Sequence, residues 1–119
     1  MKKIALIEDD QFIQDFVSGK LIEAGYAVTV CGDGEAAISH IETESPDVVL
    51  LDLDLPNLSG QEILGVLRQT ENIKDLPVII FTNHDDPALK ESLIAAGAQD
   101  FYMKAATDIT ELVQKIESV

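Results

Sequence analysis

The amino-acid sequence predicts an α/β fold in which five strands alternate with five helices and form a doubly wound parallel sheet. Two observations lead to this prediction. Short apolar runs recur along the chain, and each is followed by a longer segment whose apolar residues have helical spacing. Several of the runs are unbroken, which is typical of strands covered on both faces. Because strand–helix alternation with short connections favours right-handed crossovers, we expect helices on both faces of the sheet.

The first two strand–helix units lie before residue 45. Ile4–Ile7 and Tyr26–Cys31 are the predicted strands. Between them, Asp10 is placed to cap a helix and Gly25 to end it. The apolar residues of this helix are Phe12, Ile13, Phe16, Val17, Leu21 and Ile22. The segment Gly32–Gly34 predicts a turn into a second helix. The apolar side of that helix comprises Ala37, Ile38 and Ile41.

The third unit begins with Val48–Leu51, which we expect to be a buried strand that ends near Asp52. Ser59 and Glu62 have the spacing of a capping box, so they predict the start of the following helix. The core face of this helix is predicted to contain Ile63, Leu64 and Leu67.

Two further units complete the pattern. Val78–Phe81 predicts a fourth strand, and Asp86 followed by Pro87 predicts a capped helix start. In this helix the residues predicted to face inward are Leu89, Leu93 and Ile94. Phe101–Met103 predicts a short fifth strand. The last helix is predicted from the spacing of Ile109, Leu112, Val113 and Ile116.

Composition restricts the classes of function. The chain has 119 residues, which fits a single domain over residues 1–119, and 46% of them are hydrophobic. Its formal net charge of −14, with Arg68 as the only arginine, argues against direct nucleic-acid binding, because phosphate contacts need clustered basic residues. Cys31 is the only cysteine, and the first apolar run stops at Glu8, too early for a membrane or secretory segment. We therefore expect a cytoplasmic protein that does not enter a membrane.

Polar residues follow four of the five predicted strands. In chain order they are Glu8 and Asp9, Asp52, Thr82, and Lys104. Because the carboxyl ends of parallel strands share one edge of the sheet, where ligands bind, we expect these side chains to converge. Converging carboxylates repel each other unless one is protonated or a cation lies among them.

A hard divalent cation would relieve this repulsion. Mg²⁺ takes oxygen ligands, keeps several waters, and commonly combines one or two carboxylates with a phosphate oxygen. Asp9 and Asp52 suit direct ligation, and Glu8 suits ligation through a water. The backbone carbonyl of Asp54 could complete the ligands that the protein supplies. The predicted cofactor is therefore Mg²⁺, with a phosphate group as a visiting anion.

A carboxylate nucleophile, a metal, a lysine and a hydroxyl are the groups required for in-line phosphoryl transfer to an aspartate. Asp52 would become an acyl phosphate, while Thr82 and Lys104 would contact the phosphate. Taken singly, Thr82 is explained as a strand threonine and Lys104 as a surface lysine. Their combination with three acids at one edge favours the functional interpretation.

On these residues the chain resembles the receiver domains of response regulators in two-component signalling, over its whole length from Lys2 to Val119. The acidic pair of that family falls on Glu8 and Asp9, its phosphoacceptor on Asp52, its hydroxyl residue on Thr82 and its lysine on Lys104. Pro56 and Gly60 also fall where the family carries proline and glycine. The resemblance implies a flavodoxin-like sheet of order 2-1-3-4-5 and phosphorylation by a histidine kinase or a phosphotransfer protein. It also implies a downstream protein partner, and a phosphoacceptor that is not an enzyme but assists its own phosphorylation and dephosphorylation.

Three positions depart from the pattern of that family. Ala105 follows Lys104, where proline is usual, and Asn83 follows Thr82, where a small residue is usual. Phe101 takes the aromatic switch position but lacks the hydroxyl that is often present there, so it would sense the site by packing alone.

Two other functions stay open on the sequence. The segment Asp52-Leu53-Asp54 resembles the nucleophile motif of haloacid-dehalogenase-like phosphatases, in which the second aspartate is an acid/base. Those enzymes place their metal-binding acidic pair after the lysine, whereas the acidic pair here precedes Asp52. The other alternative is a pseudo-receiver, which keeps the fold but never carries phosphate.

The last helix allows a prediction of the oligomeric state and of the kind of partner. No output domain follows it, so we expect the chain to act through a partner or to be a piece of a longer protein. The segment 108–119 contains Lys115 as its only base among several acids. Because two copies would bring like charges together, the sequence predicts a monomer, even when phosphorylated, and a basic partner for this surface.

Overall fold

Five parallel strands form the centre of the structure, a computed structural model that describes residues 2–105 and 108–119. The elements in chain order are β1 (Lys3–Ile7), α1 (Gln11–Glu23), β2 (Ala27–Cys31), α2 (Gly34–Glu44), β3 (Val48–Leu51), α3 (Gly60–Gln69), β4 (Val78–Thr82), α4 (Pro87–Ala95), β5 (Asp100–Met103) and α5 (Ile109–Ser118). The strands are hydrogen-bonded in the order β2-β1-β3-β4-β5, and each pair is parallel. The predicted fold class and strand order are therefore confirmed.

The core has two layers, one on each face of the sheet. In β1, Ala5 and Ile7 face the layer formed with α2, α3 and α4, whereas Ile4 and Leu6 face the layer formed with α1 and α5. This separation follows from the alternation of side chains along a strand. All residues of β3 and β4 are buried, as expected for central strands covered on both faces. The helix layers leave the carboxyl ends of the strands as one shared edge.

Local signals place most of the helix ends where the sequence predicted them. Asp10 caps α1 by accepting a hydrogen bond from the backbone N–H of Ile13 at 3.1 Å. Ser59 and Glu62 form the predicted capping box at the start of α3. Gly25, after α1, and Gly97, after α4, have φ angles of 97° and 108°, a backbone conformation that side chains with a Cβ disfavour.

Two helices expose apolar residues that helical spacing had grouped with the core. The prediction that Ile94 faces inward is wrong, because its side chain is 41% exposed. α4 contacts the edge strand β5, so only a narrow side of this helix is covered. In α1 the buried arc is centred on Val17 and Leu21, and it leaves Phe12 75% exposed. Phe16 and Ile22 of the same helix are also exposed to solvent.

Within residues 2–105 and 108–119, none of the helices has the length and apolar character needed to cross a membrane.

Candidate functional site

The register of the sheet brings the polar strand ends to one level. Ile7 pairs with Leu51, so Glu8 and Asp52 leave the sheet side by side. The backbone N–H of Asp52 donates to the carbonyl of Ile7 at 3.0 Å, which continues the β1–β3 ladder into the site. On the other side, the N–H of Lys104 donates to the carbonyl of Thr82 at 2.7 Å. Backbone hydrogen bonds therefore position these side chains before any ligand binds.

Three carboxylates converge at this edge. Glu8, Asp9 and Asp52 each offer an oxygen, and these atoms all lie within 4.8 Å of one another. Glu8 and Asp52 are only 1% and 5% exposed, whereas Asp9 is exposed to solvent. The site thus has two acids in its floor and one at its mouth.

Lys104 is the cation that faces the buried acids. Its ammonium Nζ contacts Oε1 of Glu8 and lies 3.3 Å from Oδ2 of Asp52. Burial alone would lower the pKa of Lys104, but the hydrogen bond to Glu8 and the charge of Asp52 outweigh burial and raise it. Burial raises the pKa of Glu8, and the charge of Asp52 adds to this rise while the hydrogen bond from Lys104 opposes it. One ammonium is therefore well paired, but it does not fully compensate two buried carboxylates.

One oxygen of Asp52 is available for chemistry. Its Oδ1 is buried and accepts no hydrogen bond from residues 2–105 or 108–119. Leaving a buried acceptor unpaired costs about 1–3 kcal/mol, so an incoming cation or donor would be favoured there. Together with the acidic cluster, this oxygen fits a hard divalent cation, which prefers carboxylate ligands.

The remaining predicted residues divide between the floor and the rim of the site. Thr82 is fully buried at the end of β4, and its hydroxyl oxygen lies 3.4 Å from the backbone nitrogen of His84. The carboxylate of Asp54 is exposed and makes a 2.8 Å hydrogen bond with Nε2 of His84. The side chain of Asp54 therefore contacts the β4–α4 connection. The role predicted for its backbone carbonyl, as a ligand of the metal, stays a prediction.

Sequence reasoning missed the groups that support the site. Gln14 donates from Nε2 to the carbonyl of Glu8 at 2.5 Å, which ties α1 to the end of β1. Asn57, in the connection between β3 and α3, donates to Asp33 at the start of α2. The turn signal at Gly32–Gly34 pointed to a bend, but nothing in the local pattern indicated which distant segment it contacts.

Comparison with known proteins identifies the family. A family model described as the response regulator receiver domain matches residues 4–117. The sensory transduction protein RegX3 of Mycolicibacterium smegmatis is 33% identical over 119 residues, which cover all of this chain and 50% of that protein. The chain spans about half the length, or less, of the curated relatives it matches.

Solved structures agree with this assignment. The BeF3-activated N-terminal receiver domain of Klebsiella pneumoniae RstA has a TM-score of 0.91 and 28% identity, covering 98% of this chain and 96% of that one. The Mn²⁺-bound form of the response regulator Rcp1 has a TM-score of 0.84 and 25% identity, covering 99% and 93% of the two chains. The site geometry, the family match and these structures together place the chain in the response regulator receiver domain family of two-component systems.

Proposed function

We propose that this chain is a Mg²⁺-dependent phosphoacceptor that takes a phosphoryl group onto Asp52 from a histidine kinase or phosphotransfer protein. The observation that carries the proposal is the buried Oδ1 of Asp52, which has no hydrogen-bond partner within residues 2–105 and 108–119 and lies beside Lys104 and two further carboxylates. A buried nucleophilic oxygen, a lysine and an acidic cluster fit phosphoryl transfer to an aspartate. A surface without a function would not need this combination. The proposed domain extends over residues 1–119.

In the proposed reaction, an oxygen of Asp52 attacks the phosphorus of a phosphohistidine. A new P–O bond forms while the P–N bond breaks, and the imidazole nitrogen keeps the electron pair of that bond. Lys104 exchanges its contact with Asp52 for the phosphoryl oxygens and offsets their charge. Glu8, Asp9 and Asp52, with the backbone carbonyl of Asp54, would hold Mg²⁺, which when bound supplies further neutralisation of phosphoryl charge. The same groups would assist the hydrolysis of the acyl phosphate.

The proposed output runs through Thr82 and Phe101. Thr82 is buried beside the site and could donate its hydroxyl to the phosphate. Phe101 lies at the boundary of the core and lines a cavity of about 350 Å³ with His84–Pro87, Lys90 and Met103. When Thr82 is pulled toward the phosphate, the aromatic ring of Phe101 would move inward behind it. A two-state surface formed by α4, β5 and α5 would then present different contacts to a downstream protein.

The charge of α5 supports action as a monomer. Lys115, the base of this helix, lies 3.3 Å from Asp100 of the same chain, so it is already paired. Two copies meeting through α4 and α5 would bring acids together, and we propose a basic partner instead. Sedimentation of the beryllofluoride-treated protein should give a monomer at low and moderate salt, and a symmetric dimer through this surface would refute the proposal.

The proposed phosphorylation is tested by intact-protein mass measurement after incubation with acetyl phosphate, with and without Mg²⁺. We expect one phosphoryl group on the wild type with Mg²⁺ and none on Asp52→Asn. Asp54→Asn is the matched control, because it removes a carboxylate two residues away that bonds His84 at the rim. It should still become phosphorylated.

The mass measurement and a phosphatase assay together separate the alternatives. Absence of phosphorylation on the wild type would favour a pseudo-receiver. Steady hydrolysis of a generic phosphatase substrate, abolished by Asp54→Asn, would favour the haloacid-dehalogenase-like enzyme. The hydrogen bond between Asp54 and His84 weighs against an acid/base role, because it holds that carboxylate at the rim.

A further inference from the structure

We propose that Asp33 and Asn57 are positioning residues of the phosphorylation site, because their hydrogen bond holds the connection between β3 and α3 against the start of α2. This connection, residues 52–59, is called the β3–α3 loop below, and it carries both Asp52 and Asp54. The inference rests on the proposed function, since it concerns how the loop is held ready for Mg²⁺.

Two hydrogen bonds join the loop to α2. Nδ2 of Asn57 donates to Oδ1 of Asp33 at 2.8 Å, although the two residues are 24 positions apart. The backbone N–H of Gly34 donates to the carbonyl of Pro56 at 3.1 Å. The same Oδ1 of Asp33 also accepts from the backbone N–H of Glu35 at 3.1 Å and so caps α2. Asp33 therefore acts on the helix and on the loop at once.

The shapes of the two segments match this contact. A Cβ atom at Gly34 would lie 2.0 Å from the carbonyl oxygen of Leu58, so only glycine allows this approach. Asn57 has a φ of 72°, a left-handed conformation in which asparagine and aspartate are enriched. The loop is thus bent towards α2, with its amide directed at Asp33.

The contact with α2 lies at the far end of the loop from the sheet. Near the sheet, the N–H of Asp52 bonds the carbonyl of Ile7, and the N–H of Gly60 bonds the carbonyl of Leu53 at 3.1 Å. Asp54 lies between these anchors and the contact with α2. If the far end moved, the backbone around Asp54 would spend less time in the conformation that receives a cation. The apparent affinity of a ligand falls in proportion to the fraction of binding-competent protein.

The experiment compares Mg²⁺ affinity, measured by titration of the unphosphorylated protein, in the wild type and four variants. Asn57→Asp places a carboxylate opposite Asp33 while keeping a residue type that tolerates the left-handed backbone. Asp33→Asn/Asn57→Asp exchanges the amide donor and the carboxylate acceptor, and asparagine caps helices as well as aspartate does. Asn72→Asp is the charge control, because Asn72 is exposed in the connection between α3 and β4. Thermal unfolding of each protein is measured without metal.

We expect Asn57→Asp to weaken Mg²⁺ binding by about two- to tenfold, the range that one net hydrogen bond contributes. An added negative charge alone would strengthen cation binding, so a loss must come from the geometry of the loop. The double variant should regain wild-type affinity, whereas Asn72→Asp should never lose it. Asn57→Gly keeps the left-handed backbone without an amide, and it should also bind more weakly.

Wild-type affinity in both Asn57→Asp and Asn57→Gly would overturn the inference, as would a double variant that binds no better than Asn57→Asp. A loss of affinity that simply follows a loss of thermal stability across the variants would also overturn it. These outcomes differ from a failure of the proposed function, in which the wild type itself would bind no Mg²⁺ and accept no phosphoryl group.

Discussion

Helices α3 and α4 pack on the same face of the sheet, yet they are held very differently. α3 buries Ile63, Leu64 and Leu67 completely and begins with a capping box. In α4, Leu93 is the buried residue of the helix, while Ile94 is exposed. The difference indicates that α3 belongs to the fixed frame around the site, whereas α4 has the few buried contacts that characterise a segment of low local stability.

Arg68, in the last turn of α3, sharpens this contrast. Its guanidinium donates to the carbonyl of Gly97 from Nε at 3.1 Å and from Nη2 at 2.7 Å, and from Nη1 to Lys74 and Leu76 at 2.9 and 2.7 Å. α4 is therefore tied to α3 just after its C-terminal end. Its N-terminal end borders the cavity beside Phe101. We therefore expect phosphorylation to move the N-terminal end of α4 more easily than its C-terminal end.

The largest effect is expected from truncating the core face of α3. Leu64→Ala removes a fully buried side chain and should lower the free energy of unfolding by about 2–5 kcal/mol, because it loses burial and leaves a cavity. Urea unfolding followed by circular dichroism measures the change. A loss of less than about 1 kcal/mol would lie below the range usual for such truncations. It would mean that α3 is not tightly packed.

Smaller changes in the free energy of unfolding, opposite in sign, are expected when the two glycines of α3 are each replaced by alanine. A Cβ on Gly60 would lie 2.4 Å from the carbonyl oxygen of Asp52, so Gly60→Ala should lower the free energy of unfolding by about 1–3 kcal/mol and reduce phosphorylation. A Cβ added to Gly65 would meet no atom within 4 Å outside the adjacent backbone of its own helix in the part of the chain that the structure describes, so Gly65→Ala is the control in the same helix. It should raise stability by about 0.5–1 kcal/mol, because alanine is the better helix former.

The pair is measured by urea unfolding together with the rate of phosphorylation from acetyl phosphate. Equal stability of the two glycine variants would contradict the close contact between the start of α3 and Asp52.

The smallest effect is expected in α4. Ile94→Ala truncates an exposed side chain and should change the free energy of unfolding by no more than about 0.5 kcal/mol. Thermal unfolding of this variant beside Leu64→Ala tests the comparison directly. If Ile94→Ala proves as destabilising as Leu64→Ala, the side chain is buried in solution and α4 is packed like α3.

The sequence predicted much of the fold because its signals are local. Unbroken runs such as Val48–Leu51 and caps such as Ser59 report directly on strands and helix starts. The convergence of three acids and Lys104 could be predicted because strand ends in a parallel sheet share one edge, whereas the strand order itself rested on the resemblance to a family. Contacts between distant polar residues could not be predicted, because the bonds of Arg68 to Gly97 and of Asn57 to Asp33 leave no periodic pattern.

Which apolar residues of a helix are exposed also could not be predicted from the sequence. Helical spacing identifies an apolar arc, but it does not say how wide a surface the neighbouring strands offer. α4 lies beside the edge strand β5, so Leu93 fills the available space and Ile94 is left outside.

The most direct test of the central claim is to locate the phosphoryl group by reductive trapping. After incubation with acetyl phosphate and Mg²⁺, borohydride would reduce an aspartyl phosphate to homoserine, and peptide mass spectrometry would identify the modified position. If Asp52 is the phosphoacceptor, we expect homoserine at position 52 when Mg²⁺ is present and none when Mg²⁺ is omitted. Homoserine at position 9 or 54 instead, or a phosphorylated protein with no homoserine at all, would contradict it.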